Sequence, residues 1–514
     1  MGINKIFKFS KKSKNRIAFW LMTVGMFFSL ISVQNIGAAY RHIQGGLGAA
    51  PDQVSWVVTS FLIAEVIMLP LSGWLSRAMS LKTFFFMCSM GFSVASIFCG
   101  LAWSIESMIF FRVLQGFFGG GMMPAMFSVM FTLYPQKEQQ IVAIFTGVVA
   151  TFAAALGPHM GGWISDEIGW RFVFFITMPF SFIIGIAVYK LADFDEKEYL
   201  WDKIDFIGII LAALFLGTGL AILEEGRREY WFESNLICIL FTIFIISFLL
   251  FIIRELTTKN PIVNIRVFLN KNFLVCTILV FVWGFIIFAT QYILPVYIAR
   301  VRELDGTTIA SMVYIMGFSQ VASGFLALIL FKFFNRRTVA FIGFLMLALG
   351  TWMQGFMVSE IGPYEIILPQ IIRGLSAQLI FLPLVLLALG DLKEDQIKNA
   401  SGLYSLMGRL GSAIGIALSN TLFEYKITTN YEAIANLSSQ AISKSEIILD
   451  KIKHLIPQYL DNSPENLKML MQILHKLAIN EASAIAFNQI MLLLGILAVL
   501  SAPLIYLVRG LKKK

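Results

Sequence analysis

Along the chain, stretches of about 20 residues with almost no charge alternate with short polar connectors. Fourteen such stretches occur, at approximately 17–38, 53–75, 84–103, 106–132, 141–164, 172–191, 204–223, 235–254, 273–298, 309–331, 338–357, 365–390, 401–423 and 485–508. Each can cross the hydrocarbon core of a bilayer as a helix, which satisfies its own backbone polar groups where no water can. The pattern predicts an all-α polytopic membrane protein with 14 transmembrane helices. The first stretch is too long for a cleavable signal and has no small-residue cleavage site. An even count puts both termini on one side.

Composition agrees: 58% hydrophobic and 14% charged residues leave too little charge to cover a soluble surface of 514 residues. The net charge of +9 lies in short basic clusters between apolar runs, a topology signal rather than a nucleic-acid-binding face. With the termini in the cytoplasm, 25 of the 40 Lys and Arg fall on the cytoplasmic side and 12 opposite. Six of those 12 sit in one long loop, which the positive-inside rule weighs little. The chain is therefore predicted to cross a membrane many times with both termini in the cytoplasm. Cys88, Cys99, Cys238 and Cys276 have no metal-ligand spacing, and His42, His159, His454 and His475 form no zinc or triad pattern. There is no GxxxxGK phosphate loop either. No metal, cofactor or enzyme activity is expected, and an ion gradient is the expected energy source.

Two motifs stand out inside the spans. GPHMGGWISD at Gly157–Asp166 interrupts the fifth, trading helix stability for close backbone approach and a bend. RVLQGFFGGGMMP at Arg112–Pro124 in span 4 is echoed by IIRGLSAQLIFLP at Ile371–Pro383 in span 12. Duplicated bundles that rock about a midplane site are one route to alternating access.

Four segments carry a family resemblance: RVLQG at Arg112–Gly116, GPHMGG at Gly157–Gly162, GWLSRAMSLK at Gly73–Lys82 after span 2, and NPIVNIRVFLNKNF at Asn260–Phe273 between spans 8 and 9. In order and spacing they resemble the fourteen-helix drug:proton antiporter branch of the major facilitator superfamily, typified by the EmrB/QacA group. The resemblance implies a major facilitator fold: a cytoplasmic segment 1–16, an N-terminal six-helix bundle 17–191, two linker helices 204–254, and a C-terminal six-helix bundle 273–508. The last includes a periplasmic loop 424–484, and a basic tail 509–514 follows. It also implies proton-coupled export of hydrophobic or amphipathic drugs. The chain departs from the pattern at Arg77 and Ser80, where the gating-loop motif normally holds Asp and Gly; Gly73, Leu75 and Lys82 match. Ser32 stands where the branch usually has a first-span acid.

Glu65, near the middle of span 2, is the acidic candidate for proton coupling, because a carboxylate at that depth must be paired, protonated or wet. A structural hydrogen bond to a neighbouring helix is the plainer alternative. Arg112 is the basic candidate, since a guanidinium cannot shed its proton. By resemblance it lowers the proton affinity of a nearby acid; the alternative is a packing hub. Arg373 and Arg409 read as weaker candidates, close enough to a span end to snorkel. Gly157, Pro158, Gly161 and Gly162 form the implied antiporter motif, and Gly73, Arg77 and Lys82 the implied gating loop. Gln34, Asn35, Gln115, Gln291, Gln320 and Gln378 are candidates for lining a substrate cavity, because amides facing lipid are costly.

In the long loop, Leu467, Leu470, Met471, Leu474 and Leu477 share one face of an expected amphipathic helix. That face either packs on the membrane or docks a partner; the resemblance points to a periplasmic membrane-fusion adaptor and an outer-membrane channel. The expected ligand is a lipophilic small molecule. The competing readings are a dedicated exporter of one metabolite, such as a siderophore or fatty acid, and a non-transporting receptor or scaffold.

Overall fold

The computed structural model describes residues 10–194, 205–258, 261–302, 306–358, 362–390, 392–444 and 464–509. Among them the chain is helical throughout: α1 Lys11–Leu47, α2 Pro51–Met79, α3 Leu81–Gly100, α4 Ile105–Gly120, α5 Met122–Leu133, α6 Gln136–Glu167, α7 Phe172–Phe175, α8 Thr177–Leu191, α9 Phe206–Glu225 and α10 Asn235–Thr257. Then follow α11 Lys271–Arg302, α12 Gly306–Phe333, α13 Arg336–Met353, α14 Pro363–Leu389, α15 Glu394–Lys444 and α16 Pro464–Ser501, with short 3-10 turns between some of them.

Thirteen described segments are long and apolar enough to cross a bilayer. The stretch expected at 401–423 lies inside α15, where serines, glycines and Arg409 leave it short of that apolarity. It is nonetheless packed along α11 and α2. Span 4 is two helices rather than one. They meet at Gly121 because Pro124 has no N–H to give the Gly120 carbonyl. α6, by contrast, runs on through Pro158.

The pattern of neighbours repeats. α1 packs on α6 and α8, α2 on α4, and α3 on α4 and α8; in the second half α11 packs on α15 and α16, α12 on α14, and α13 on α14 and α16. Two six-helix bundles result, with α9 and α10 paired beside them. Glycine sets the closest crossings. A Cβ on Gly116 of α4 would lie 2.2 Å from the Phe61 carbonyl oxygen of α2, and one on Gly411 of α15 would lie 2.1 Å from that of Phe281 on α11. Without a hydrophobic drive between helices in lipid, such backbone contact is what van der Waals packing has to work with.

α9 lies against α2, with Gly217 facing Ile63 and Ile67, and also touches α15. The polar ties of the pair run to the second bundle. Arg227, just past α9, meets Glu424 of α15 at 3.1 Å and donates to the Asn420 side-chain oxygen at 2.9 Å, while Arg300 of α11 shares Glu424 at 2.8 Å. At the other end Glu255 accepts from the Val263 backbone N–H at 3.1 Å.

α15 has 51 residues, about 77 Å at the helical rise, so it projects well past a membrane. α16 packs beside it, and Tyr431 Oη lies 2.8 Å from His475 Nδ1. The expected amphipathic segment begins α16; Leu477 is exposed, and the side chains of Leu467, Leu470, Met471 and Leu474 lie outside the described residues.

Gly116→Leu is expected to destabilise the first bundle by about 1–3 kcal/mol through overpacking. Gly162→Ala, whose new methyl would meet only Ala38 Cβ at an ordinary 3.7 Å, is expected to change nothing. Thermal melting of the two detergent-solubilised variants checks the contrast.

Candidate functional site

Between the bundles lies a cavity of about 180 Å³. Its walls are mostly apolar: Met123 from α5, Trp283 and Phe288 from α11 and Phe381 from α14 face into it, with the Trp283 and Phe381 rings 5.3 Å apart. Of the six amides singled out in the sequence, Gln34, Gln291, Gln320 and Gln378 stand in the lining, and Glu65 and Arg409 complete its charged inventory.

Asn35 and Gln115 correct the prediction. Asn35 is fully buried against α6, and with its amide turned to suit its neighbours it donates to the Gly157 carbonyl at 2.6 Å and that of Ile31 at 3.1 Å. Gln115, on α4, is fully buried. Its oxygen accepts from Arg112 Nη1 at 2.7 Å, and its nitrogen donates to Ser96 Oγ at 2.7 Å and Ser32 Oγ at 3.3 Å. Both amides are spent on contacts between helices, which satisfy polar groups that burial would otherwise leave costly.

Arg112 is completely enclosed. Its Nε donates to the Val57 carbonyl at 2.8 Å and its guanidinium lies 4.2 Å from the Phe61 ring centre. Below it Gly116 rides on the Phe61 carbonyl and Gly120 on Glu65, whose backbone oxygen a Cβ would approach to 2.8 Å. Residues 112, 116 and 120 thus face 57, 61 and 65, one helical turn per step. Ser32, at the place of the first-span acid, hangs on this network through Gln115.

The positive charge beside Glu65 is not Arg112. Arg409 Nη2 of α15 donates to Glu65 Oε1 at 2.7 Å across the seam between the bundles. The Glu65 and Arg409 side chains are 9% and 23% exposed. Glu65 Oε2 has no hydrogen-bond partner. Neither Arg373 nor Arg409 snorkels. Arg373 is fully buried, with its nitrogens donating to Gln354 Oε1 at 2.5 Å, Gln370 Oε1 at 3.1 Å and Thr290 Oγ1. It occupies in α14 the place Arg112 has in α4. The pairing of Glu65 with Arg409 had one sequence signal, a basic residue inside an apolar stretch. Nothing in the order of residues selected Arg409 over Arg112 or Arg373 as the partner.

The glycine motif of α6 divides in two. A Cβ on Gly157 would sit 2.3 Å from Gln34 Cβ and one on Gly161 2.1 Å from the Asn35 carbonyl oxygen, so these residues seat α1. Gly162 is not in such contact, Pro158 is half-buried and His159 is exposed.

At the end of the cavity nearest the chain's beginning the bundles touch. A Cβ on Gly402 would come within 2.3 Å of the Leu69 carbonyl oxygen, and one on Gly73 within 2.6 Å of Asn399 Oδ1; Ser128 Oγ and Ser401 Oγ are 2.9 Å apart. Arg77 is half-buried, and Lys82 Nζ lies 5.8 Å from the Tyr189 ring centre. Ser80 has φ 74° and ψ 149°, a conformation suited to the glycine that the related motif holds there. Among the described residues no cluster of His, Cys, Asp and Glu is arranged to hold a metal.

The profile of the Major Facilitator Superfamily matches residues 22–416. The Colistin resistance protein EmrB of Acinetobacter baumannii is 29% identical over 96% of this chain and 96% of its own length. The Multidrug export protein EmrB of Haemophilus influenzae is 28% identical over 93% of this chain and 94% of its own. In fold, the chain is similar to the proton:xylose symporter XylE, with a TM-score of 0.59 at 12% identity over 95% of each chain.

Ser80→Gly is expected to stabilise the protein by about 1 kcal/mol, by removing a strained φ that costs a side-chain-bearing residue on the order of 1–3 kcal/mol. A rise in melting temperature, with the fold unchanged by circular dichroism, is the outcome to look for.

Proposed function

Since the chain belongs to the major facilitator superfamily, we propose that it is a proton-driven exporter of hydrophobic and amphipathic compounds. In this reading it works by alternating access in a bacterial inner membrane, with both termini in the cytoplasm. One observation carries the reading: an apolar, aromatic-walled cavity between two bundles, crossed by a single carboxylate–guanidinium pair. An adaptable apolar surface with a few amides suits varied lipophilic ligands, and the relatives' names, multidrug export and colistin resistance, point the same way.

With the basic loops facing the cytoplasm, the packed seam at Leu69, Gly73, Ser128 and Asn399–Gly402 is the cytoplasmic gate. The structure is then an outward-facing form. Opening that seam while the opposite side closes admits ligand from the cytoplasm, and the reverse movement releases it outward. Glu65 is the proton-carrying group, because it is the one acid in the cavity lining. Arg112 holds α4 in register with α2 and so sets where Glu65 stands. Gly157 and Gly161 hold α6 on α1 along the face that includes Gln34. The projecting α15–α16 pair is the surface for a periplasmic adaptor that passes substrate to an outer-membrane channel.

Inverted membrane vesicles holding a respiration-generated pH gradient test this. Several unrelated lipophilic compounds should partly collapse the gradient with the natural protein and not with Glu65→Gln. Response to one compound class alone would replace the multidrug reading with a dedicated exporter. Export with an unchanged pH dependence in Glu65→Gln would remove Glu65 from coupling.

A further inference from the structure

An exchanger has to solve a problem that a cavity alone does not: its empty, unprotonated form must stay still, or the proton gradient drains without work. We propose that Arg409 is the residue that holds this form still, by clamping Glu65 across the two bundles until a proton or a cationic substrate takes the carboxylate. The proposal rests on the proton-driven export reading and assigns a residue that the motif comparison leaves without a role.

The geometry supplies three supports. First, the pair joins opposite bundles, Glu65 from α2 and Arg409 from α15, at 2.7 Å in a largely enclosed setting. A buried ion pair is costly to break when one charge is left behind, so rocking the bundles apart at this seam is opposed while both charges stand. Second, among the described residues Arg409 is the one hydrogen-bond partner of Glu65; the other carboxylate oxygen, Oε2, has none. Whatever competes for Glu65 therefore competes with Arg409. Third, the pair lies next to the contact that has to part. Leu69, one turn after Glu65 on α2, meets Gly402, two turns before Arg409 on α15.

Charge counting fits exchange. The lining holds one carboxylate and one guanidinium, which cancel. A proton on Glu65 leaves the cavity at +1, and so does a monocation seated on the ionised carboxylate. The two loaded forms carry the same charge and cannot coexist on one carboxylate, and each releases Arg409 to the cavity, where it is already partly exposed. Only the empty, unprotonated form is clamped. The other titratable or charged groups near the pair are Tyr404 on α15, which lines the same cavity, and Arg112 on α4, roughly two turns of α2 away. Neither offers a competing carboxylate.

The test uses purified full-length protein in proteoliposomes with an imposed pH gradient, with ethidium as the lipophilic cation. The natural protein should keep the gradient without ethidium and spend it when ethidium is supplied on the alkaline side, so that cation and proton cross in opposite directions. Arg409→Gln should leak protons several-fold faster without ethidium, and Glu65→Gln should not leak. The exchanged pair Glu65→Arg with Arg409→Glu should return the leak to the natural level, a rescue that a merely structural loss would not give. Arg409→Lys, which keeps the charge on a single-point donor, should fall between and serves if Arg409→Gln does not fold. A folded Arg409→Gln or Arg409→Lys no leakier than the natural protein overturns the clamp, as does a leak that the exchanged pair leaves unrepaired. If the natural protein shows no ethidium-driven proton flux while Arg409→Gln still leaks, the export reading falls for this cation and the clamp stands.

Discussion

A charge inside a membrane must be answered by another charge or by a full set of polar partners, and this protein answers its buried charges in two ways. Arg112 and Arg373 are each held within their own bundle by carbonyl, amide and hydroxyl oxygens, with only Arg112 Nη2 and Arg373 Nε left without a hydrogen-bond partner. Both tie neighbouring helices of one bundle together. Among the described residues, Glu65 and Arg409 are answered only by one another, across the boundary between bundles. Neutrality at that boundary therefore depends on the bundles staying together, and anything that supplies the missing charge there changes their relation. The remaining architecture serves to keep this one pair at the seam of a cavity.

Glycine makes that placement sharp. Gly116 and Gly120 bring α4 down onto α2 beside Phe61 and Glu65, and Gly411 and Gly415 bring α15 down onto α11 beside Phe281 and Phe285. Each member of the pair is thus held by a helix seated backbone-to-backbone on its own bundle. The linker helices fit the same division. Their polar ties, at Arg227 and at Glu255, reach α15 and the segment before α11, whereas Gly217 meets α2 through Ile63 and Ile67 alone.

The departures from the family pattern have physical consequences. Ser80 stands in a backbone conformation made for glycine, and Ser32 stands where an acid is usual. With the first-span acid gone, Ser32 is drawn into the Arg112 network through Gln115, and the acid that faces the cavity is on α2. The two amides that turned out not to line the cavity, Asn35 and Gln115, were indistinguishable in sequence from Gln34 and Gln378. One residue along a helix rotates a side chain by about 100°, which moves Asn35 from the cavity wall occupied by Gln34 to the contact with α6.

Length and apolarity of the spans determined that the chain is a polytopic helical membrane protein, because those properties follow from the thickness and dielectric of the bilayer and need no knowledge of neighbours. Spacing and type of residue also marked Glu65, Arg112 and the α6 glycines as positions that could not be indifferent. Which charge meets which was decided only by the tertiary structure. Glu65 and Arg409 are 344 residues apart, and their contact depends on how two bundles with a repeated pattern of neighbours face one another. No local pattern carries that information.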